Sequence, residues 1–178
     1  MQAARGASLN SSEHSPSRRR RSRLIFVGVF VLVWGLDQLT KWLAVEHLSG
    51  RGRVAVLGDL LGLQLTRNPG AAFSLGTGNT EVFTVLALVA CAVVVYLSPR
   101  LGSRVWAVGF GFLLAGVVGN LTDRIFREPG AFRGHVVDFL ELPHWPIFNV
   151  ADMSLNVAVV VILVQGLRGV RLNGDRHG

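Results

Sequence analysis

Two aspartates sit where carboxylates are costly. Asp138 lies in the apolar run "HVVDFL", and Asp152 lies in "FNVADMSLNVAVVVIL", at the start of a segment fit for hydrocarbon. An ionisable group at membrane depth points to function. Two carboxylates sharing a site of low dielectric cannot both ionise readily, so one proton serves the pair. The ionised partner can take a proton from water while the protonated one donates to a carbonyl oxygen or a leaving amine. That is peptide hydrolysis without a metal and without a serine or cysteine nucleophile. The same two acids would also suit a proton relay in a small proton-coupled transporter, and a non-catalytic membrane assembly factor is a third reading. Cys91 is the only cysteine and falls in an apolar run, so neither an internal disulfide nor a cysteine-based metal site is available. No serine has a nucleophile-elbow setting. His135, Asp138 and His144 lack a recognisable zinc-ligand spacing, so no metal and no cofactor are expected.

The elements that must hold these residues are membrane helices. The chain has 178 residues, half of them hydrophobic and 16% charged, with a mean hydropathy of +0.44. Four apolar segments stand out, at 24–45, 82–97, 105–121 and 150–167. Each approaches the ~20 residues a helix needs to cross a bilayer. The expected fold is therefore an all-α membrane bundle of four transmembrane helices, with a small β element and loops on the extracytoplasmic side. "LLGLQLTRNPG" alternates Leu61, Leu63 and Leu65 with smaller or polar residues before an Asn-Pro-Gly turn, which predicts a short strand at the membrane surface.

Charge gives the direction. The net charge is +7, but the arginines form no stripe on a folded domain, so nucleic acid is not an expected partner. Arg18, Arg19, Arg20, Arg21 and Arg23 precede the first span, Arg100 and Arg104 fill the link between the second and third, and Arg168, Arg171 and Arg176 follow the fourth. Basic residues stay on the cytoplasmic side, which puts both termini inside and the segments 46–81 and 122–149 outside. Three regions result: a disordered cytoplasmic tail over 1–23, a four-helix domain over 24–167, and a cytoplasmic tail over 168–178.

At 100° per residue, Asn149, Asp152 and Asn156 share one narrow arc of the fourth helix. Gly109, Gly116, Asn120 and Asp123 share another on the third, where small residues allow close packing and polar groups turn inward. Asp37 and Lys41, four apart in the first span, form a pair whose first reading is structural. Arg124 next to Asp123 is expected to keep that carboxylate ionised, which makes Asp123 a fixed acceptor and a poor proton shuttle. Asn68 reads first as a turn residue, and His135, His144 and Trp145 as interface anchors.

Five motifs occur in order at the mouths of the four spans: "DQLTK" at 37–41, "NPGAAFS" at 68–74, "GNLTDR" at 119–124, "GHVVDF" at 134–139 and "FNVAD" at 148–152. Together they resemble the lipoprotein signal peptidase family (signal peptidase II), intramembrane aspartyl proteases of bacteria, over roughly residues 24–167. The resemblance implies a multi-pass enzyme of the bacterial inner membrane. It would cleave the signal peptide of a diacylglyceryl-modified prolipoprotein just before the lipidated cysteine, working as a monomer among membrane lipids. It implies that Asp138 and Asp152 are the catalytic dyad. Asn68, Gly70, Asn120, Asp123, Arg124 and Asn149 would bind substrate or support the site, and Asp37 and Lys41 match the family's pair in the first helix. The chain departs from the pattern in its long arginine-rich arm, in Ala115 where many relatives have glycine, and in Met153 where a small hydroxyl residue is common.

Overall fold

The computed structural model describes residues 16–70 and 80–176. Its elements are helix α1 (Pro16–Leu48), strands β1 (Val54–Leu57) and β2 (Leu61–Asn68), helices α2 (Thr80–Leu97) and α3 (Arg104–Phe126), strand β3 (Val136–Glu141) and helix α4 (Val150–Leu167). All four helices are long and apolar enough to cross a membrane. Their outward faces are apolar, with Leu32, Trp42, Val85, Tyr96 and Val160 exposed, as expected where lipid is the solvent. The fourth helix has the expected bounds. The first begins earlier: residues 16–23, expected to be disordered, form the opening turns of α1, while residues 1–15 lie outside the described residues.

α3 is the buried centre, and its small residues make it so. A Cβ on Gly111 would lie 2.8 Å from the Val29 Cβ of α1. One on Gly116 would lie 2.6 Å from the Ala151 carbonyl oxygen and 2.7 Å from Leu155 Cγ, both on α4. Without a hydrophobic driving force between helices in lipid, such close backbone approach supplies the packing attraction. Ser103 caps α3, accepting from the Trp106 amide. At that end of the bundle the start of α1, the α2–α3 link and the C-terminal segment are joined. Ser22 Oγ donates to the Gly102 carbonyl at 3.0 Å, and the Gly102 amide donates to the Leu172 carbonyl at 2.9 Å.

At the other end sits a three-stranded antiparallel sheet in the order β1-β2-β3. The strand expected from the leucine alternation is β2. Its partner β3 was not expected, since the region 125–147 reads as a loop. β3 is short, and its residues Val136, Val137, Asp138 and Phe139 are all buried, so it shows no polar alternation to reveal a strand. Alternate side chains nevertheless go to opposite faces. Val137 and Phe139 pack with Ala44 and Leu48 of α1, whereas Val136 and Asp138 face a cavity beside α4.

Candidate active site

β3 and α4 are tied together just before the helix starts. The Phe139 and Leu140 amides both donate to the Phe148 carbonyl, at 3.0 and 2.8 Å, and the Phe148 amide donates back to the Leu140 carbonyl at 3.0 Å. This bridge delivers Asn149 to the N-cap of α4 beside Asp138. Asn149 and Asp152 form a reciprocal capping box: the Asp152 amide donates to Asn149 Oδ1 at 2.9 Å, and the Asn149 amide donates to Asp152 Oδ2 at 3.2 Å. Asp152 thus lies in the first turn of a helix, where the aligned peptide dipoles favour negative charge.

One residue, Asn149, donates to both carboxylates. Asn149 Nδ2 donates to Asp138 Oδ1 at 2.6 Å and to Asn120 Oδ1 at 3.1 Å. Asn120 Nδ2 donates to Asp152 Oδ1 at 2.9 Å. Asn68 Nδ2 donates to Asp138 Oδ2 at 3.0 Å, while Asn68 Oδ1 accepts from the Gly70 amide at 3.0 Å, which fixes which way the Asn68 amide points. Burial raises the Asp138 carboxyl from its ordinary 3.8 to about 7, and the neighbouring charge of Asp152 adds to the rise. The Asn68 and Asn149 hydrogen bonds and Lys41 oppose it.

Asp37 and Lys41 lie deeper, one layer behind. Lys41 Nζ is fully buried, 2.9 Å from Asp37 Oδ2, 2.9 Å from Asp123 Oδ2 and 2.9 Å from Asn120 Oδ1. An ammonium can only donate, so its contact with Asn120 holds that oxygen toward it and turns the Asn120 Nδ2 toward Asp152. Asp37 Oδ1 accepts from the Ala151 amide at 2.8 Å, another unpaired donor at the start of α4. Asp123 Oδ2 accepts from the Val137 amide at 3.2 Å and so anchors β3.

The cation expected beside Asp123 is a different one. Lys41 and Arg127 pair with this carboxylate, whereas Arg124 donates from Nη1 to the Asn120 carbonyl at 3.3 Å and lines the cavity. Arg127 is one helical turn beyond Asp123, which neighbour-by-neighbour reading overlooked although the spacing signals it. Arg124 Nε is buried with no hydrogen-bond partner among the described residues.

The cavity holds about 430 Å³. Asn68, Gly70, Asn120, Arg124, Asp138 and Asp152 line it, together with the apolar Trp145, Pro146, Phe148 and Met153. Asn156, which shares the helical arc of Asn149 and Asp152, also lines it, as does Trp145, expected as an interface anchor. His135 lies elsewhere, in a separate cavity with Glu81 and Arg133. Ala71, Ala72, Phe73 and Ser74 of the second motif fall outside the described residues. Two carboxyls joined through asparagine amides, at a cavity lined by both polar and apolar groups, can activate a water against an extended peptide.

The sequence profile of the family described as "Signal peptidase (SPase) II" matches residues 29–168. A lipoprotein signal peptidase of Leifsonia xyli is 46% identical, over 97% of this chain and 83% of its own length. One of Rhodococcus jostii is 42% identical, over 94% of this chain and 84% of its own. Among solved structures, a bacterial membrane enzyme superimposes with a TM-score of 0.71 at 25% identity, covering 86% of this chain and 93% of that one. The comparisons give the transporter reading no support.

Proposed function

Because the chain belongs to the signal peptidase II family, and is a multi-pass membrane protease by that membership, we propose that Asp138 and Asp152 make it an aspartic endopeptidase of prolipoproteins. It removes the signal peptide from a diacylglyceryl-modified precursor just before the lipidated cysteine. The observation that carries this reading is the pair of asparagines, Asn120 and Asn149, whose hydrogen bonds link the two aspartates at one cavity. Asp152, at the helix N-terminus, takes a proton from the attacking water. Asp138, raised to about 7, holds the proton that goes to the carbonyl oxygen of the scissile bond. When the tetrahedral intermediate collapses, the carbon–nitrogen bond breaks, Asp152 returns its proton to the leaving amine and Asp138 recovers one from the hydroxyl. Asn68, Gly70 and Arg124 hold the substrate backbone at the cavity edge. The enzyme acts in the inner membrane with both termini cytoplasmic, so the dyad opens to the outer leaflet.

Two acyl chains retain a peptide at a membrane far better than one, and a site at the leaflet surface receives such a chain directly. Purified protein incubated with a diacylglyceryl-modified prolipoprotein should release signal peptide, and the unmodified precursor should be cut very poorly. Equal rates on both forms would make this a general signal peptidase.

A further inference from the structure

At the end of the bundle away from the dyad, a cavity of about 980 Å³ lies between the start of α1, the α2–α3 link and the C-terminal segment. Arg19, Arg100 and Arg171 stand around it, with Tyr96 and Trp106 among its walls. Its back wall is built into the fold. Trp106 is buried, and its Nε1 donates to the Val170 carbonyl at 2.9 Å. The Leu172 carbonyl accepts from the Gly102 and Ser103 amides at 2.9 and 3.1 Å, which pins the C-terminal segment beneath the helices.

Arg100 is held in place before any ligand arrives. Its guanidinium lies 4.6 Å from the centre of the Tyr96 ring, Nη1 donates to the Tyr96 carbonyl at 3.0 Å, and Nη2 donates to the Tyr96 hydroxyl at 3.3 Å. A guanidinium carries five N–H donors in a rigid fork suited to phosphate oxygens, and Tyr96 takes only two of them.

The cavity therefore brings the Arg19 and Arg100 guanidinium groups together with two aromatic rings, beyond the cavity-side end of the apolar α2. Beside it, Val89, Val93 and Tyr96 form an exposed apolar face of α2 at helical spacing, running from the cavity toward the bilayer interior. That face offers a path to an acyl chain, and a free phosphate ion would make no use of it. We propose that the cavity binds the phosphodiester headgroup of an anionic phospholipid from the leaflet at this end of the bundle, with one acyl chain along α2. Basic pockets between transmembrane helices recognise anionic headgroups by the same charge complementarity.

The test is thermal unfolding of the full chain in detergent as phosphatidylglycerol, phosphatidylcholine or sodium phosphate is added. Phosphatidylglycerol alone should raise the midpoint, saturating with added lipid. In Arg19→Gln/Arg100→Gln the apparent affinity should fall roughly thirtyfold, at roughly fivefold per arginine near a charged surface. If that pair does not fold, the single variants should each show about a fivefold loss. Arg20→Gln/Arg168→Gln removes equally basic residues that do not line the cavity, and should leave the shift intact. An equal shift from phosphatidylcholine, a shift from phosphate alone, or equal losses in both double variants would overturn the proposal. None of these readings depends on peptidase activity.

Discussion

Asn149 touches both carboxylates of the proposed dyad and caps the helix that carries one of them. At this scale the roles of the acids separate. Asp138→Asn and Asp152→Asn keep the side-chain shape but remove the proton that each must pass. Each should lower turnover about 10²- to 10⁴-fold while the protein stays folded in the membrane. Asp123→Asn should behave differently, because Asp123 anchors β3 and balances Lys41 without reaching the cavity. Measurable turnover should survive, and resistance to denaturant should drop by about 3–5 kcal/mol, the usual cost of stripping a partner from a buried charge. Loss of all turnover in a stably folded Asp123→Asn, beside an active Asp138→Asn, would reverse the assignment. The pH dependence has a defined sign. With the folded pKa of Asp138 raised from 3.8 to about 7, the native state holds a proton that the unfolded chain has released across that window. Stability should therefore fall as pH rises from about 4 to about 7, and Asp138→Asn should flatten that part of the curve. Turnover should decline above pH 7 as the acid loses its proton, as a pH–rate profile would show.

The helices were legible and one strand was not. Runs such as "VACAVVVYL" and "VAVVVILVQGL" are apolar on every side, which is what lipid on one face and a partner helix on the other demand. β2 announced itself through leucine alternation. β3 did not, because both of its faces are buried, one against α1 and the other within the cavity beside α4, and a strand buried on both faces loses its period. The site residues were legible through the family motifs, but the identity of the cation on Asp123 was not. Sequence adjacency suggested Arg124, while the helix turns Arg127 and the α1 residue Lys41 to that carboxylate. The glycine arc on α3 was read as packing, and its geometry makes a prediction. Gly116→Leu has no room against Ala151 and Leu155, so α4 must move away from α3 and take Asp152 with it. Destabilisation of about 1–3 kcal/mol in denaturant titration is expected, with turnover lost further than that alone explains. Wild-type turnover in this variant would show that the α3–α4 spacing does not set the site.

Over the whole molecule, polarity is sorted by end. One end gathers the arginines of the start of α1, the α2–α3 link and the C-terminal segment, and the other gathers Asp138, Asp152, Asn68, Asn120, Asn149 and the sheet. Inverted repeats with binding at mid-depth, the usual plan of a transporter, would not divide the residues this way. The arginine end should be cytoplasmic. Reporter fusions at residues 98–104 and 168–178 should read inside, and those at 50–60 and 125–147 outside. An inside signal from 125–147 would put the dyad in the wrong compartment for a secreted precursor.

The ion pairs of α1 and α3 also bear on how such a chain enters a bilayer. A lone charge in the middle of a spanning helix costs about 2.5–3.5 kcal/mol at insertion. α1 carries Asp37 and Lys41 one turn apart, and Asp123 in the last turn of α3 has Arg127, the residue that caps the helix, one turn on. Asp37 and Asp123 thus each have a counter-ion in their own segment before the other helix exists. The bond between Lys41 and Asp123 forms only once both are inserted, as the helices find each other. Biogenesis can then proceed one helix at a time, and the polar cluster that supports the site is also the latch that closes assembly.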